Sequence, residues 1–406
     1  MAIWRRVLSI ALLTAVAGLA GAQPDPAAAA SAQSAGSITF YHSPNIHFSR
    51  SGNSANSITA GPDGALWFTN PRNNTIGRIT TYGYVTDYKG KGIRNPWVIT
   101  AGPDRALWVG NWNTNSISRV TTRGKVTTFF HTANTPVSIA ASSHYLWYSN
   151  WAIPSSIGRI TTRGKSKLFR GEYVSYPGGI TLGSDGAMWF INGYGPLPIG
   201  RITQSGRLTF YPVPLPYLIG GIAAGPDGDL WFTYFQNNGF GRISTKGVVT
   251  SLFNPHIVRP GAIAFGPDGA LWFIESNAIG RITTTGQLTS YPVPDLGNRC
   301  DITKGPDGAM WFTDSGTRVI GRIATSVTPW ITGKTPTSGR PGTLVTITGL
   351  NLSPATKVSF HGTPATIVSD TATSVVAIVP QGATTGRIMV TTPAGIAAGN
   401  DWFRVT

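Results

Sequence analysis

The chain has 406 residues and carries 32 Lys+Arg against 16 Asp+Glu, a formal net charge of +16. Charged residues make up only 12%, about half the ~25% usual in soluble domains, while 41% hydrophobic residues suffice for a large core. A single cysteine, Cys300, excludes an internal disulfide. No segment beyond the N-terminus has helical apolar spacing, which argues against a groove-reading helix and against nucleic acid as a partner.

The chain opens with a basic segment, Met1 to Arg6, then an apolar run from Val7 to Gly21. Ala20-Gly21-Ala22 offers a small-x-small cleavage site before Gln23. This layout predicts a secretory signal peptide over residues 1–22. The apolar run is shorter than the ~20 residues of a spanning helix, so no stable membrane span is expected after cleavage. Residues 23–36 are Ala/Pro/Ser-rich and read as a flexible leader. The expected location is secreted, periplasmic or cell-envelope, where a basic protein would meet anionic cell-surface polymers.

From residue 37 onward one pattern recurs: I-x-x-G-P-D-G-x-L-W-F-T, a polar loop, I-G-R-I-T-T-x-G, then V-T-x-Y. Its tryptophan stands at Trp67, Trp108, Trp147, Trp189, Trp231, Trp272 and Trp311, at spacings of 41, 39, 42, 42, 41 and 39 residues. Its arginine stands at Arg78, Arg119, Arg159, Arg201, Arg242, Arg281 and Arg322. Both markers count to seven. Each unit resolves into four short strands, with Pro and Gly setting the first turn. A period near 40 with four strands per unit predicts a seven-bladed β-propeller over residues 37–328. The arginines, one per unit beside six turn aspartates, read as structural pairs across the blade base.

The seventh unit ends after Ile323 without a fourth strand, whereas Ile38-Thr39-Phe40-Tyr41 matches Leu208-Thr209-Phe210-Tyr211. The N-terminal strand is therefore expected to complete the last blade and leave no free edge there. After Ser326 the pattern changes. Pro329-Trp330-Ile331-Thr332-Gly333, Pro336-Thr337-Ser338-Gly339 and Gly342-Thr343-Leu344-Val345-Thr346-Ile347-Thr348-Gly349 resemble the opening of an IPT/TIG domain. Residues 329–406 suit an immunoglobulin-like β-sandwich. The fold class is all-β throughout, and a monomer is expected.

The I-x-x-G-P-D-G-x-L-W-F-T…I-G-R-I repeat resembles that of the streptogramin (virginiamycin B) lyase family. The resemblance implies a seven-bladed propeller and a Mg²⁺-dependent carbon-oxygen lyase that opens a cyclic depsipeptide at its ester. It implies a histidine two residues before the repeat isoleucine in each of the last two blades. It also implies a glutamate two residues before the second histidine and an acid after W-F-T. In this sequence those positions are Gly261, Cys300 and Asn298, and only the acid remains, as Asp314, with Glu275 one blade earlier. The elimination needs a base that titrates near neutrality, which Gly, Cys and Asn do not supply.

In a propeller the loops between the second and third strands share one face with the loops between blades. There the position closing the tryptophan strand reads Asn70, Asn111, Asn150, Asn192, Tyr234, Glu275 and Asp314. These residues would ring the channel mouth, with Trp97, Trp112, Trp151, Tyr194, Tyr217 and Phe235 nearby. Amides flanked by aromatic rings suit a glycan or peptide; the same amides equally suit capping of strand ends and turns. Glu275 and Asp314 are candidate Mg²⁺ ligands. Asp314, Glu275 and His256 are the candidate catalytic residues, with His42, His47 and His131 in loops of the same face. The opposite face collects Arg123, Lys125, Arg163, Lys165, Lys167 and Lys246, which read as a basic patch or as solvated turns. Two readings follow: an exported recognition propeller, or a lyase with a rebuilt site.

Overall fold

The computed structural model describes residues 36–49, 56–130, 134–193, 197–214, 219–297, 300–325, 329–371, 373–392 and 395–406. The expected signal peptide and nearly all of the expected leader lie outside the described residues, as do His131, Tyr194, Tyr217 and Asn298. Among the described residues every regular element is a strand, and none contains a helix long and apolar enough to cross a membrane.

Seven four-stranded antiparallel sheets form the blades of a propeller. The first strands of successive blades stand side by side round the axis, and Ile302–Lys304 of blade 7 meets Ile58–Ala60 of blade 1. The second strand, Leu66–Asn70 in blade 1 and Met310–Asp314 in blade 7, is buried along its whole length. Two neighbouring blades cover its two faces, so L-W-F-T is apolar without alternation.

The blade base is held by one repeated polar unit. In blade 1 the Trp67 Nε1–H donates to Asp63 Oδ1 at 3.0 Å, and Arg78 Nε donates to Asp63 Oδ2 at 2.7 Å. The same Trp–Asp–Arg unit recurs at Asp104, Asp185, Asp268 and Asp307. In blade 5 Arg242 divides between Asp227 and Asp229. Blade 3 has no aspartate in its shorter turn, and Gln204 of blade 4 substitutes. Its side-chain oxygen accepts from Trp147 Nε1 at 3.2 Å, and its backbone carbonyl accepts from Arg159 at 2.5 Å. The seven arginines are structural, as their placement in the repeat implies.

The ring closes at the seam between blades 7 and 1. Ile38–Tyr41 pairs antiparallel with Val319–Ile323, in the register Ile38↔Ile323 to Tyr41↔Ile320, and supplies the missing fourth strand. A second closure lies at the axis. Asp301 accepts from the Ser57 hydroxyl at 2.9 Å and the Ile58 N–H at 3.1 Å. Thr313 Oγ1 donates to the Asn56 carbonyl at 2.6 Å.

The C-terminal strands, from Trp330–Thr335 to Gly395–Val405, form the immunoglobulin-like sandwich. Its core gathers Ile331, Val345, Ile347, Val358, Phe360, Val375, Val390 and Phe403. Alternation is clean here: in Gly386–Thr392 every second residue is buried, because each sheet has one inner face.

Candidate functional site

The face formed by the blade-to-blade loops and the second-to-third-strand loops carries the strand-end candidates drawn from the repeat. Its most regular feature is the residue closing each second strand. Asn70, Asn111, Asn150 and Asn192 are at most 2% exposed. Each side-chain oxygen accepts a backbone N–H from the loop entering its blade, those of His47, Arg94, Asn134 and Ser175. Their amide groups donate onward, for example Asn70 to the Asn45 carbonyl and Asn192 to the Tyr173 and Leu197 carbonyls. This corrects the expectation that the amides ring an open channel mouth. A strand-end side chain turned into the incoming loop satisfies buried backbone donors that water cannot reach. Tyr234 is likewise fully buried, its hydroxyl 3.1 Å from Ser251 Oγ.

The two acids do the same work with carboxylates. Glu275 Oε2 accepts from the Val258 N–H at 3.1 Å, and Oε1 from Ser290 Oγ at 2.6 Å. Asp314 Oδ1 accepts from the Gly297 and Gly316 N–H groups, and Oδ2 from the Thr317 hydroxyl. Both carboxylates are buried. Among the described residues no group of three or more His, Cys, Asp or Glu side chains is placed to hold a metal ion. Two separate, internally saturated carboxylates do not fit a Mg²⁺ site, which needs an octahedral oxygen shell open to water.

Of the positions where the lyase resemblance implies a base, Gly261 offers only backbone. Its N–H donates to the Ile274 carbonyl and its carbonyl accepts from Thr233. Cys300 is half-buried by its own surface, with Sγ donating to the Gly297 carbonyl at 2.8 Å. Burial pushes its thiol up to about 12, so the thiolate that would act as base is absent at neutral pH. His42 and His256 are exposed and His47 is half-buried. Among the described residues none of the three donates a side-chain hydrogen bond to Glu275 or Asp314, which accept from Val258, Ser290, Gly297, Gly316 and Thr317 instead.

The aromatic candidates do converge. Trp97 stacks on Trp112 with ring centroids 4.2 Å apart and planes at 25°. Trp112 lies 6.1 Å from Trp151, and Trp151 lies 5.2 Å from Tyr176 in an edge-to-face contact. The row crosses blades 2, 3 and 4. Trp97 is buried beneath it, Trp112 and Tyr176 are half-buried, and Trp151 is 40% exposed. On blades 5 and 6, Arg259 covers the Phe235 ring at 4.6 Å. Arg123, Lys125, Arg163, Lys165, Lys167 and Lys246 are all exposed on the far face.

Two residues escaped the repeat pattern. Tyr176 lies in the loop entering blade 4, outside any repeat register. Asp301 was findable, since the column before the repeat isoleucine reads Ser57, Val98, Ser138, Gly179, Gly221, Ala262 and Asp301, with one acid. Burial raises its carboxyl above the usual range, against the lowering effect of the Ile58 N–H and the Ser57 hydroxyl.

Fold and face together define a seven-bladed propeller with an aromatic row on its loop face and an attached immunoglobulin-like domain. Residues 27–218 and 218–338 match the virginiamycin B lyase family, and residues 329–404 match the IPT/TIG domain. The chain belongs to the virginiamycin B lyase family. A solved streptogramin B lyase is 28% identical with a TM-score of 0.64, over 71% of this chain and 97% of its own. The selenomethionine-substituted virginiamycin B lyase from Staphylococcus aureus is 30% identical with a TM-score of 0.63, over 71% and 99%. A catalytically inactive histidine-to-alanine variant of that enzyme, solved with quinupristin, gives the same values. No curated protein matches the chain by sequence.

Proposed function

We propose that this chain is an exported recognition protein that holds a glycan on the aromatic row of its loop face. One observation carries the reading: Trp97, Trp112, Trp151 and Tyr176 form a row of successive ring contacts in which the Trp151 indole is 40% exposed. Such a row offers large rigid area at little conformational cost and suits the flat apolar faces of sugar rings. The basic charge and the signal-like N-terminus support a place at the cell surface, with anionic surface polymers as further partners.

The lyase reading draws on the relatives, but its chemistry lacks a base here. In the relative solved with quinupristin, replacing one histidine by alanine leaves the enzyme inactive. This chain has Gly261 and Cys300 where the family resemblance implies histidines. The test joins two assays on the purified chain. A glycan and peptide array is expected to return glycan hits that disappear in Trp151→Ala. Incubation with quinupristin and Mg²⁺ is expected to leave the ring closed. Ring opening lost in Asp314→Ala would overturn the recognition reading, and hits confined to peptides would replace the glycan.

A further inference from the structure

The repeat tryptophan of blade 5 differs from the others in what lies on its ring. In the other six blades a Tyr or Phe of the fourth strand stacks on it at 5.2–5.7 Å. Beyond that ring lies a turn glycine of the next blade. A Cβ on Gly124 would sit 2.1 Å from Tyr88, and one on Gly206 would sit 2.1 Å from Phe169. The ring fills the space beside a glycine whose positive φ, +82° at Gly124 and +103° at Gly206, already favours that residue.

Blade 5 breaks this arrangement. Leu252 stands in the register of the stacking ring, paired with Phe240 where the other third strands have isoleucine. Ring and aliphatic side chain have exchanged strands. Phe240 directs its ring edge-on to Phe273 of blade 6 at 4.7 Å, and among the described residues no ring stacks on Trp231. A Cβ on Gly286 would meet only Leu252 Cδ2, at 3.4 Å. There an open cleft of about 170 Å³ lies between blades 5 and 6, lined by Trp231, Phe240, Arg242, Leu252, Thr284, Thr285 and Gly286. A cavity of ~150 Å³ holds a benzene ring.

We propose that this slot binds a phenyl or phenolic ring of a small molecule, the group that the other six blades supply from their own chain. The indole of Trp231 provides one wall and the Thr284-Thr285-Gly286 turn the other. Arg242, whose guanidinium lies 5.8 Å from the Trp231 centroid and is held by Asp229, stands at the rim with Thr250, its cross-strand partner. These groups receive a polar substituent of the ring. The slot opens toward the turn face, away from the tryptophan row, and does not depend on the recognition reading.

The full chain is titrated with p-cresol, the tyrosine side chain as a free molecule, following Tm and ligand saturation-transfer signals. A saturable rise in Tm is expected, with 4-methylcyclohexanol, of the same substituents but not planar, at least tenfold weaker. Phe240→Ile/Leu252→Tyr restores the six-blade pattern, and it is expected to weaken p-cresol binding at least tenfold while melting higher than the parent. Leu252→Met, which keeps Phe240 and partly fills the slot, is expected to weaken binding in the same direction. No saturable response, equal binding of the cyclohexanol, or undiminished binding in both variants would overturn the proposal.

Discussion

Tyr41 lies flat on Trp311, with ring centroids 5.2 Å apart and planes at 9°. Within blade 1, Tyr88 holds the same relation to Trp67 at 5.2 Å. The N-terminal strand thus brings to the last blade both a set of backbone partners and the ring that its tryptophan lacks. The contact joins the two ends of the propeller, so the closing strand is fixed by packing as well as by its ladder.

Tyr41→Ala is expected to cost about 3 kcal/mol, the low end for removing a large ring from a packed site, and Tyr41→Phe less than ~1 kcal/mol. Urea unfolding measures both. A loss for Tyr41→Ala no larger than for an exposed ring such as Tyr82 would remove Tyr41 from the closure.

The base triads set an acid limit. Burial pushes the Asp63, Asp104 and Asp185 carboxyls up, but the Trp and Arg partners outweigh it and hold each below its ordinary value of 3.8. A depressed folded pKa stabilises above the unfolded pKa and loses that contribution as pH falls through the folded value. Asp301 has the opposite sign. Its raised carboxyl contributes below the unfolded pKa and loses that contribution as pH rises through the folded value. Denaturation midpoints across pH 2–7 are expected to show a flatter acid limb in Asp63→Asn and a flatter rising-pH limb in Asp301→Asn. Unchanged slopes in both variants would contradict these assignments.

Gln204 is expected to matter to blade 3 as well as to its own blade, where its amide donates to the Gly186 carbonyl at 2.9 Å. In Gln204→Ala the Trp147 indole N–H loses its acceptor inside the base, at a cost of about 1–3 kcal/mol. Hydrogen exchange places the loss: faster exchange in Leu146–Asn150 supports the cross-blade role, while faster exchange confined to blade 4 refutes it.

The aromatic row makes graded predictions. Trp151→Ala is expected to weaken glycan binding tenfold or more with a near-parental melting profile, because its ring is 40% exposed. Trp112→Ala weakens binding similarly with a moderate loss of stability. Trp97→Ala, at 8% exposure, lowers stability by about 3–5 kcal/mol before it touches binding. Calorimetric titration beside thermal melts separates the three, and equal binding by all would dismiss the row as a ligand platform.

The repeat made the architecture legible before any coordinates. Seven tryptophans and seven arginines at one period define the blades, and Ile38–Tyr41 names its own place by matching the other fourth strands. The site was legible only in part. Trp97, Trp112 and Trp151 are legible as neighbours of the strand ends, and the structure brings their rings into one row. For Asn70, Asn111, Asn150 and Asn192 the sequence left two roles open, lining the channel mouth or capping strand ends, and in the structure they accept loop N–H groups. A sequence column shows which end of a strand a side chain occupies, but not whether an incoming loop folds over it.

The sequence by itself determined the seven-bladed ring and its closing strand, because each is a matter of residue type in a repeated register; Gly261 and Cys300 stand where the family resemblance implies histidines. Only the tertiary structure decided what Tyr41 and Asp301 do at the seam, how Gln204 serves its neighbour and where blade 5 opens a slot. Those depend on contacts between blades, where side chains distant in sequence meet and volume must be shared. Leu252 shows the difference: in sequence it is one apolar residue in place of another, and in the packed molecule it is a missing ring.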